Sequence, residues 1–209
     1  MPDIPDFAAL LGEAAPGIPA TQGERLVRYL ELAWEYGAVL NLTAFKGPRE
    51  LLEGLVVDAL RLLDLGPIPR GASVADVGSG NGSPVVPLAV RCQQARFTAI
   101  EANHKRGAFL RTVAATLGLS NLKVAGTRVE QLFPAGRCYD LVTSRAFAPP
   151  FEFLDAALKL ARPGGEIRGF AGAERGRVTR ACIAHGTGQA RFREFSGVHG
   201  LNHVWSVLA

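Results

Sequence analysis

The sequence has few cysteines and no long apolar run, and these absences exclude several classes of protein. Its three cysteines, Cys92, Cys138 and Cys182, are scattered and form no Cys-x-x-Cys pair. That spacing argues against a disulfide framework and against a zinc site, and it suits a reducing cytoplasm. No window approaches the roughly 18 apolar residues of a membrane span. The N-terminus lacks the basic region that opens a secretory signal. We therefore expect a cytoplasmic protein with no membrane and no metal partner.

Lysine is also scarce, and the net charge of +4 is unevenly distributed along the chain. Residues 162–209 hold an excess of arginine over glutamate, whereas the preceding residues are balanced. A basic C-terminal third indicates either a polyanionic partner or a solvated arginine-rich surface. The arginines of this third are Arg162, Arg168, Arg175, Arg177, Arg180, Arg191 and Arg193.

Hydrophobic periodicity divides the chain into a helical N-terminal part and an alternating remainder. Apolar residues at helical spacing predict helices over 22–37 and 48–64, the second opened by a proline. From residue 72 onward, strands alternate with helices, which predicts βαβ units around a buried parallel sheet. The predicted strands are 72–77, 95–101, 122–126, 139–144 and 166–172, and the predicted helical segments are 83–92, 104–119, 128–133 and 150–161.

The end of the chain has a different pattern. Residues 190–198 and 199–208 predict two strands joined by a glycine-containing turn, and hence an antiparallel hairpin. The predicted fold is therefore α/β, a doubly wound, Rossmann-like sheet that is mostly parallel and closes with this hairpin. We divide the chain into an N-terminal helical cap, residues 1–64, and a main domain, residues 65–209.

A glycine-rich loop follows the first predicted strand directly, in the stretch Asp76-Val77-Gly78-Ser79-Gly80-Asn81-Gly82. Loops at the carboxyl edge of a doubly wound sheet bind ligands, and glycine allows a positive φ and close backbone approach. Glu101 ends the next strand, where a carboxylate can accept both hydroxyls of a ribose. The sequence therefore predicts a nucleoside-containing ligand at this edge.

Three interpretations of the loop remain open from these residues. A dinucleotide favours Gly-x-Gly-x-x-Gly, but the last glycine here falls one residue early. S-adenosylmethionine carries a sulfonium cation and no phosphate, and it suits a glycine loop led by an acid. A glycine turn without any ligand is the third possibility. We favour S-adenosylmethionine as the cofactor.

Several short motifs occur in an order that resembles a known family. The motifs are Asn41-Leu42-Thr43, Asp76 to Gly82 with Pro84 and Pro87-Leu88-Ala89, Glu101 with Lys105-Arg106 and Phe109-Leu110, Arg128-Val129-Glu130, and Ser144-Arg145-Ala146. In this order the chain resembles the bacterial small-subunit ribosomal RNA guanine-N7 methyltransferases, also called glucose-inhibited division protein B. The resemblance spans about residues 25–172 and, more weakly, the terminal hairpin.

The resemblance implies a class I methyltransferase fold and transfer of a methyl group from S-adenosylmethionine to guanine N7 of 16S ribosomal RNA. It implies that Val129 and Glu130 hold the adenine end and that Arg145 lies where donor and substrate meet. Arg145 and Asn41 are the expected catalytic residues. The expected donor-binding residues are Asp76, Gly78, Ser79, Gly80, Gly82, Ser83, Glu101, Ala102, Val129, Glu130 and Arg145.

The chain also departs from the family pattern at several positions. Ser83 replaces an aromatic or large apolar residue, and Val85 replaces a glycine. Gly54 and Leu55 stand where the family carries Arg-His. Ala171 and Asn202 likewise stand where the family carries a lysine and an arginine. These losses keep two alternatives open, a methyltransferase of the same fold acting on a small molecule or protein, and a non-catalytic RNA- or ribosome-binding relative.

The sequence shows no evident nucleophile or acid–base constellation, and its four histidines have no metal-ligand spacing. Guanine N7 already carries a lone pair in the ring plane, so its methylation needs no base to remove a proton. Positioning and electrostatics are then sufficient for catalysis. The absence of a catalytic constellation is therefore compatible with the expected reaction and with RNA, or a small-subunit particle, as the partner.

Overall fold

The computed structural model describes residues 4–172, 175–197 and 200–209 and contains one seven-stranded sheet. The strand order is β3-β2-β1-β4-β5-β7-β6. Strands β1 to β5 run parallel, while β7 is antiparallel to both β5 and β6. The predicted doubly wound sheet with a C-terminal hairpin is confirmed. The strands are β1 (Ser73–Val77), β2 (Arg96–Ile100), β3 (Leu122–Ala125), β4 (Tyr139–Ser144), β5 (Ala161–Ala171), β6 (Arg191–Gly197) and β7 (Gly200–Leu208).

Eight α-helices surround the sheet in the described residues, and two of them were not predicted. These two are α1 (Phe7–Ala14) and α8 (Arg175–Ala184). None of the described helices combines the length and the apolar character that crossing a bilayer requires. The remaining helices are α2 (Ala20–Leu40), α3 (Pro48–Leu52), α4 (Asp58–Leu60), α5 (Val85–Arg91), α6 (His104–Thr116) and α7 (Pro150–Leu160).

The predicted helix over 48–64 is one continuous helical stretch with changes of winding. A π-helical turn (Glu53–Val57) separates α3 from α4, and a 3-10 turn (Arg61–Leu65) ends the stretch. Gly54 lies in the π-helical turn, and a Cβ at this position would overlap the ring of Phe45. Turns of this kind within helices occur frequently at functional sites.

The sheet is buried on both faces by separate groups of helices. On one face, helices of the cap and α5 and α6 share a single cluster with the strands, including Leu30, Leu55 and Val74. On the other face, α7 and α8 pack against Trp205 and its neighbours, with Phe153 in edge-to-face contact at 5.9 Å between ring centroids. The cap therefore buries its apolar residues in the same core as the sheet.

The fifth strand begins earlier than the sequence predicts. The sequence predicts a strand over 166–172 after a helix that ends at 161, but β5 starts at Ala161, directly after α7, and includes the segment Arg162-Pro163-Gly164-Gly165. The pairing shifts between Tyr139↔Ala161 and Leu141↔Glu166, so the Pro-Gly-Gly segment is accommodated as a bulge within the strand. The predicted hairpin agrees with β6 and β7, except that residues 198 and 199 lie outside the described residues.

Two hydrogen bonds connect the cap to the loop after β1. The hydroxyl of Tyr29, a fully buried residue of α2, donates to the main-chain oxygen of Asn81 at 3.0 Å. The side-chain amide of Asn81 donates to the main-chain oxygen of Leu42 at 3.2 Å. These contacts fix the loop relative to the cap.

We expect Tyr29→Phe to lower the free energy of unfolding by about 1 kcal/mol, because it removes one buried hydrogen bond and leaves the Asn81 carbonyl unsatisfied. Urea denaturation measures this change. Tyr36→Phe is the matched control, since Tyr36 lies on the same helix but is exposed. An equal effect of both substitutions would contradict the anchoring role of Tyr29.

Candidate active site

The loop after β1 turns sharply over the edge of the sheet. Gly78 and Gly80 have φ values of 69° and 49°, in the left-handed region that favours glycine. The amides of Gly78 and Ser79 donate to the main-chain oxygen of Ile100 at 2.9 and 3.1 Å, which ties the loop to β2. A Cβ at Gly78 would lie 2.7 Å from a ring carbon of Phe147. The loop therefore needs glycine at Gly78 for both its backbone and its packing.

Glu101 follows β2 and is directed at this loop. One carboxylate oxygen accepts from the amide of Gly80 at 2.8 Å, and the other accepts from the amide of Asn103 at 2.7 Å. An ionised carboxylate offers about four acceptor positions, so each oxygen keeps capacity for another donor. Glu101 thus fixes the loop and retains lone pairs for a ligand hydroxyl.

A cavity of about 240 Å³, which we call the Glu101 cavity, opens beside this carboxylate. Five of the expected donor-binding residues line it, namely Gly78, Glu101, Ala102, Val129 and Glu130. The last two stand at the start of a 3-10 helix (Val129–Ala135) that follows β3. The structure therefore brings together side chains that are far apart in the sequence at the carboxyl ends of β1, β2 and β3.

A second cavity of about 270 Å³, the Ser79 cavity, lies on the other side of the loop. Gly78, Ser79, Gly80 and Ser83 line it on the loop side, and residues 42–45 of the cap line it on the opposite side. The two cavities share Gly78, Arg106 and Ala146 in their linings. Together they form an elongated site that runs along the glycine loop.

Asp76 and Gly82 lie behind this lining. One carboxylate oxygen of Asp76 accepts from the Thr143 hydroxyl at 2.9 Å, and its main-chain oxygen accepts from the Ser79 hydroxyl at 2.9 Å. The other carboxylate oxygen is buried and has no partner among the described residues. Burial raises the pKa of Asp76 to about 7. Gly82 has a φ of 98° and packs against Val86 and Leu110, so it shapes the loop.

Arg145 connects the cap to the sheet at the mouth of the Ser79 cavity. Its guanidinium forms an ion pair with Asp58 at 2.9 Å and donates to the main-chain oxygen of Gly54 and to the Ser83 hydroxyl. The guanidinium also lies 5.2 Å from the centroid of the Phe170 ring. Burial raises the pKa of the Asp58 carboxyl, although Arg145 opposes this shift.

The structure places Asn41 apart from these cavities. Asn41 ends α2 in the left-handed conformation, with φ 48°, and its amide donates to the main-chain oxygen of Gly37. Its main-chain oxygen accepts from Arg106 at 3.5 Å. The lining of the Ser79 cavity begins at the next residue, Leu42. The arrangement gives Asn41 a helix-capping role, and its catalytic role stays a prediction.

Sequence reasoning missed three residues that shape this site. Asp58 interrupts an apolar helical stripe and is nevertheless buried, and a charged residue at such a position is a usable signal. Thr143 bonds Asp76 across neighbouring strands, and Phe147 lines the Glu101 cavity. The last two depend on strand pairing and loop conformation, which the sequence pattern does not specify.

Comparison with known proteins shows which family the chain belongs to. The sequence profile of the family described as "rRNA small subunit methyltransferase G" matches residues 22–187. The chain belongs to this family. Its relatives include the ribosomal RNA small subunit methyltransferase G of Stenotrophomonas maltophilia, 36% identical over 75% of this chain and 72% of the relative. The protein of the same name from Bordetella pertussis is 38% identical over 80% of this chain and 77% of the relative.

Solved structures share the fold. An O-methyltransferase from Bacillus cereus, in complex with SAH, superposes with a TM-score of 0.68 at 18% identity over 97% of this chain and 96% of that chain. A precorrin-6Y C5,15-methyltransferase from Geobacter metallireducens gives a TM-score of 0.58 at 15% identity, over 72% of this chain and 85% of that chain. The class I methyltransferase fold expected from the family resemblance is confirmed.

The raised pKa of Asp76 predicts a pH dependence of stability. Between about pH 4 and pH 7 the folded state holds a proton that the unfolded state has lost. The contribution of Asp76 to the free energy of unfolding therefore falls by up to about 1.4 kcal/mol per pH unit across this range, and it is constant above it.

Asp76→Asn cannot titrate and should lack this component. Urea denaturation of both proteins at pH 5, 6, 7 and 8 isolates the contribution of Asp76 as the difference between the two curves. We expect the stability of the variant relative to the wild type to rise from pH 5 to pH 7. Parallel curves would show that Asp76 titrates normally.

Proposed function

We propose that this protein is an S-adenosylmethionine-dependent methyltransferase that methylates guanine N7 in small-subunit ribosomal RNA. The observation that carries the proposal is the pair of cavities that share lining residues at the glycine loop, with the Glu101 carboxylate in the lining of one of them. Membership of the family supports RNA as the substrate. If ribosomal RNA is the substrate, the protein acts in the cytoplasm.

The residues of the site fit the donor. The Glu101 cavity offers a carboxylate with free lone pairs for a ribose diol, and Val129 and Glu130, which line the same cavity, would hold the adenine end. Ser79, Gly80 and Ser83 face the remaining part of the donor, where Arg145 supplies a positive charge for its carboxylate. Asp76 holds the loop from behind through Ser79. Asn41 remains a candidate for closing the site from the cap.

The chemistry demands little from the side chains. When bound, the donor supplies a methyl group on a sulfonium sulfur, and transfer breaks the carbon–sulfur bond, leaves its electron pair on sulfur and forms a carbon–nitrogen bond at N7. Because N7 attacks with its own lone pair, no proton is removed from it. The protein contributes by orienting the base, by excluding water and by placing charge around the reacting atoms.

The basic C-terminal third supports an RNA partner. Arg175 lies 4.6 Å from the ring centroid of Phe192, and further arginines stand on α8 and β6. Such residues bind phosphates without regard to sequence, so RNA affinity should fall steeply with salt. In this proposal residues 1–64 act as a cap over the Ser79 cavity, and residues 65–209 form the catalytic domain.

Transfer of tritium from labelled S-adenosylmethionine tests the reaction. The purified protein is incubated with small ribosomal subunits, naked ribosomal RNA, protein extract and small metabolites. We expect label in RNA, recovered as N7-methylguanosine after digestion. Label confined to protein or metabolites would favour the alternative of a same-fold enzyme with another substrate, and no label despite donor binding would favour a non-catalytic relative.

Donor binding has its own test. We expect Glu101→Gln to weaken binding of S-adenosylhomocysteine about 10–100-fold, because a charged acceptor for the ribose is lost. Calorimetry measures the affinity, and thermal unfolding monitors the fold. Glu152→Gln is the control, since this exposed acid of α7 lines neither cavity. Unchanged affinity in Glu101→Gln would contradict the assignment.

A further inference from the structure

A third cavity of about 260 Å³ adjoins the site, and we call it the Asp58 cavity. Its walls combine aromatic rings from the sheet and α7 with a substantial polar surface. The aromatic residues are Phe153, Phe170, Phe195 and Trp205, and the main polar residues are Asp58, Arg145 and Asn202. Aromatic walls that also carry polar groups are typical of pockets that bind a planar base removed from its stack.

The Asp58 cavity adjoins the place where the Glu101 cavity and the Ser79 cavity meet. Ala146 lines all three cavities, and Arg145 lines both the Ser79 cavity and the Asp58 cavity. Ala146 has a φ of 57°, a strained value for a residue with a side chain, and such strain clusters at functional sites. A molecule in the Asp58 cavity would therefore face the junction of the Glu101 and Ser79 cavities.

Asp58 presents a carboxylate oxygen, Oδ1, to this cavity. The residue is 3% exposed, and its Oδ2 is paired with Arg145. The hydrogen bond to this carboxylate from a described side chain goes to Oδ2, and the indole nitrogen of Trp205, in the same wall, is buried without a partner among the described residues. A carboxylate oxygen that lines a cavity and keeps free lone pairs can accept hydrogen bonds from a ligand.

Guanine supplies the donors that this carboxylate lacks. Its Watson–Crick edge carries the N1–H and the N2 amino group, whereas adenine has neither of these donors. The two oxygens of a carboxylate can accept both at once, and because each oxygen has about two acceptor positions, Oδ2 also keeps its bond from Arg145. The N7 atom lies on the opposite side of the purine, so a base held at its Watson–Crick edge keeps N7 free to react.

We propose that the Asp58 cavity receives the target guanine, extruded from the RNA, and that Asp58 is the residue that selects guanine by binding its N1–H and N2 amino group. This inference rests on the proposed function and adds to it the residue that determines base specificity. Toward the base, Arg145 acts by orienting Asp58 through their ion pair, in addition to its proposed contact with the donor, and the aromatic walls stack on the base.

The test pairs a change in the protein with a change in the base. The methylated nucleotide is first mapped in RNA treated with the wild type, and RNAs with guanosine or inosine at that position are then prepared by ligation. Inosine keeps N1–H and N7 but lacks the N2 amino group. We expect the wild type to methylate guanosine with a kcat/KM about tenfold or more above that for inosine, since a hydrogen bond to a charged group is lost.

Asp58→Asn should abolish this preference. Its amide oxygen remains with Arg145, which leaves the amide nitrogen, a donor, facing the donors of guanine. Glu166→Gln is the matched control, because Glu166 also pairs with a buried arginine, Arg168, but at the opposite edge of the sheet. We expect the control to keep the wild-type ratio.

The outcomes separate the inference from the proposed function. Absence of methylation of any guanosine RNA by the wild type would defeat the proposed function itself. Methylation of RNA with an unchanged guanosine-to-inosine ratio in Asp58→Asn would overturn the role of Asp58 and leave the proposed function standing. An equal loss of the ratio in Glu166→Gln would also overturn it, because the effect would then be general.

Nucleotide binding gives a second readout that does not depend on turnover. In a Trp34→Phe background, Trp205 is the remaining tryptophan and reports on the Asp58 cavity. We expect guanosine monophosphate to change its fluorescence at concentrations about tenfold lower than adenosine monophosphate, and Asp58→Asn to remove this difference. Equal responses to both nucleotides in the Trp34→Phe variant, which retains Asp58, would contradict the inference.

Discussion

The turn that follows β1 determines the geometry of the whole site, because its backbone is fixed from several sides. Strand β2 holds it through the Ile100 carbonyl and the Glu101 carboxylate, which accept from the amides of Gly78, Ser79 and Gly80. The cap holds it through the hydroxyl of Tyr29. A turn fixed in this way keeps its amides and the Glu101 carboxylate in one arrangement before any ligand binds, and such preorganisation reduces the entropic cost of binding.

The ion pair between Asp58 and Arg145 is the second constraint, and it links the cap to the loop after β4. A buried pair contributes little net stability, but loss of one partner leaves an uncompensated charge. The pair is therefore better explained by its position than by its strength. It stands between the Ser79 and Asp58 cavities, and it adjoins the strained residue Ala146, where all three cavities meet.

Much of this arrangement follows from local patterns in the sequence. Alternating strands and helices predict the sheet, and the glycine loop followed by Glu101 predicts where its edge binds a ligand. Helix α8 escaped prediction because its polar, arginine-rich sequence has only a weak apolar stripe. The early start of β5 was not predicted because the Pro-Gly-Gly segment is typical of a loop, whereas here it forms a bulge within the strand. The pairing of Asp58 with Arg145 joins residues 87 positions apart, and only the packing of the cap on the sheet brings them together.

A crystal structure of the protein with S-adenosylhomocysteine tests the central claim most directly. The account predicts the adenosine in the Glu101 cavity, with both ribose hydroxyls within hydrogen-bond distance of the Glu101 carboxylate, and the sulfur beside Ala146. A ligand bound elsewhere, or a ribose without contact to Glu101, would contradict it.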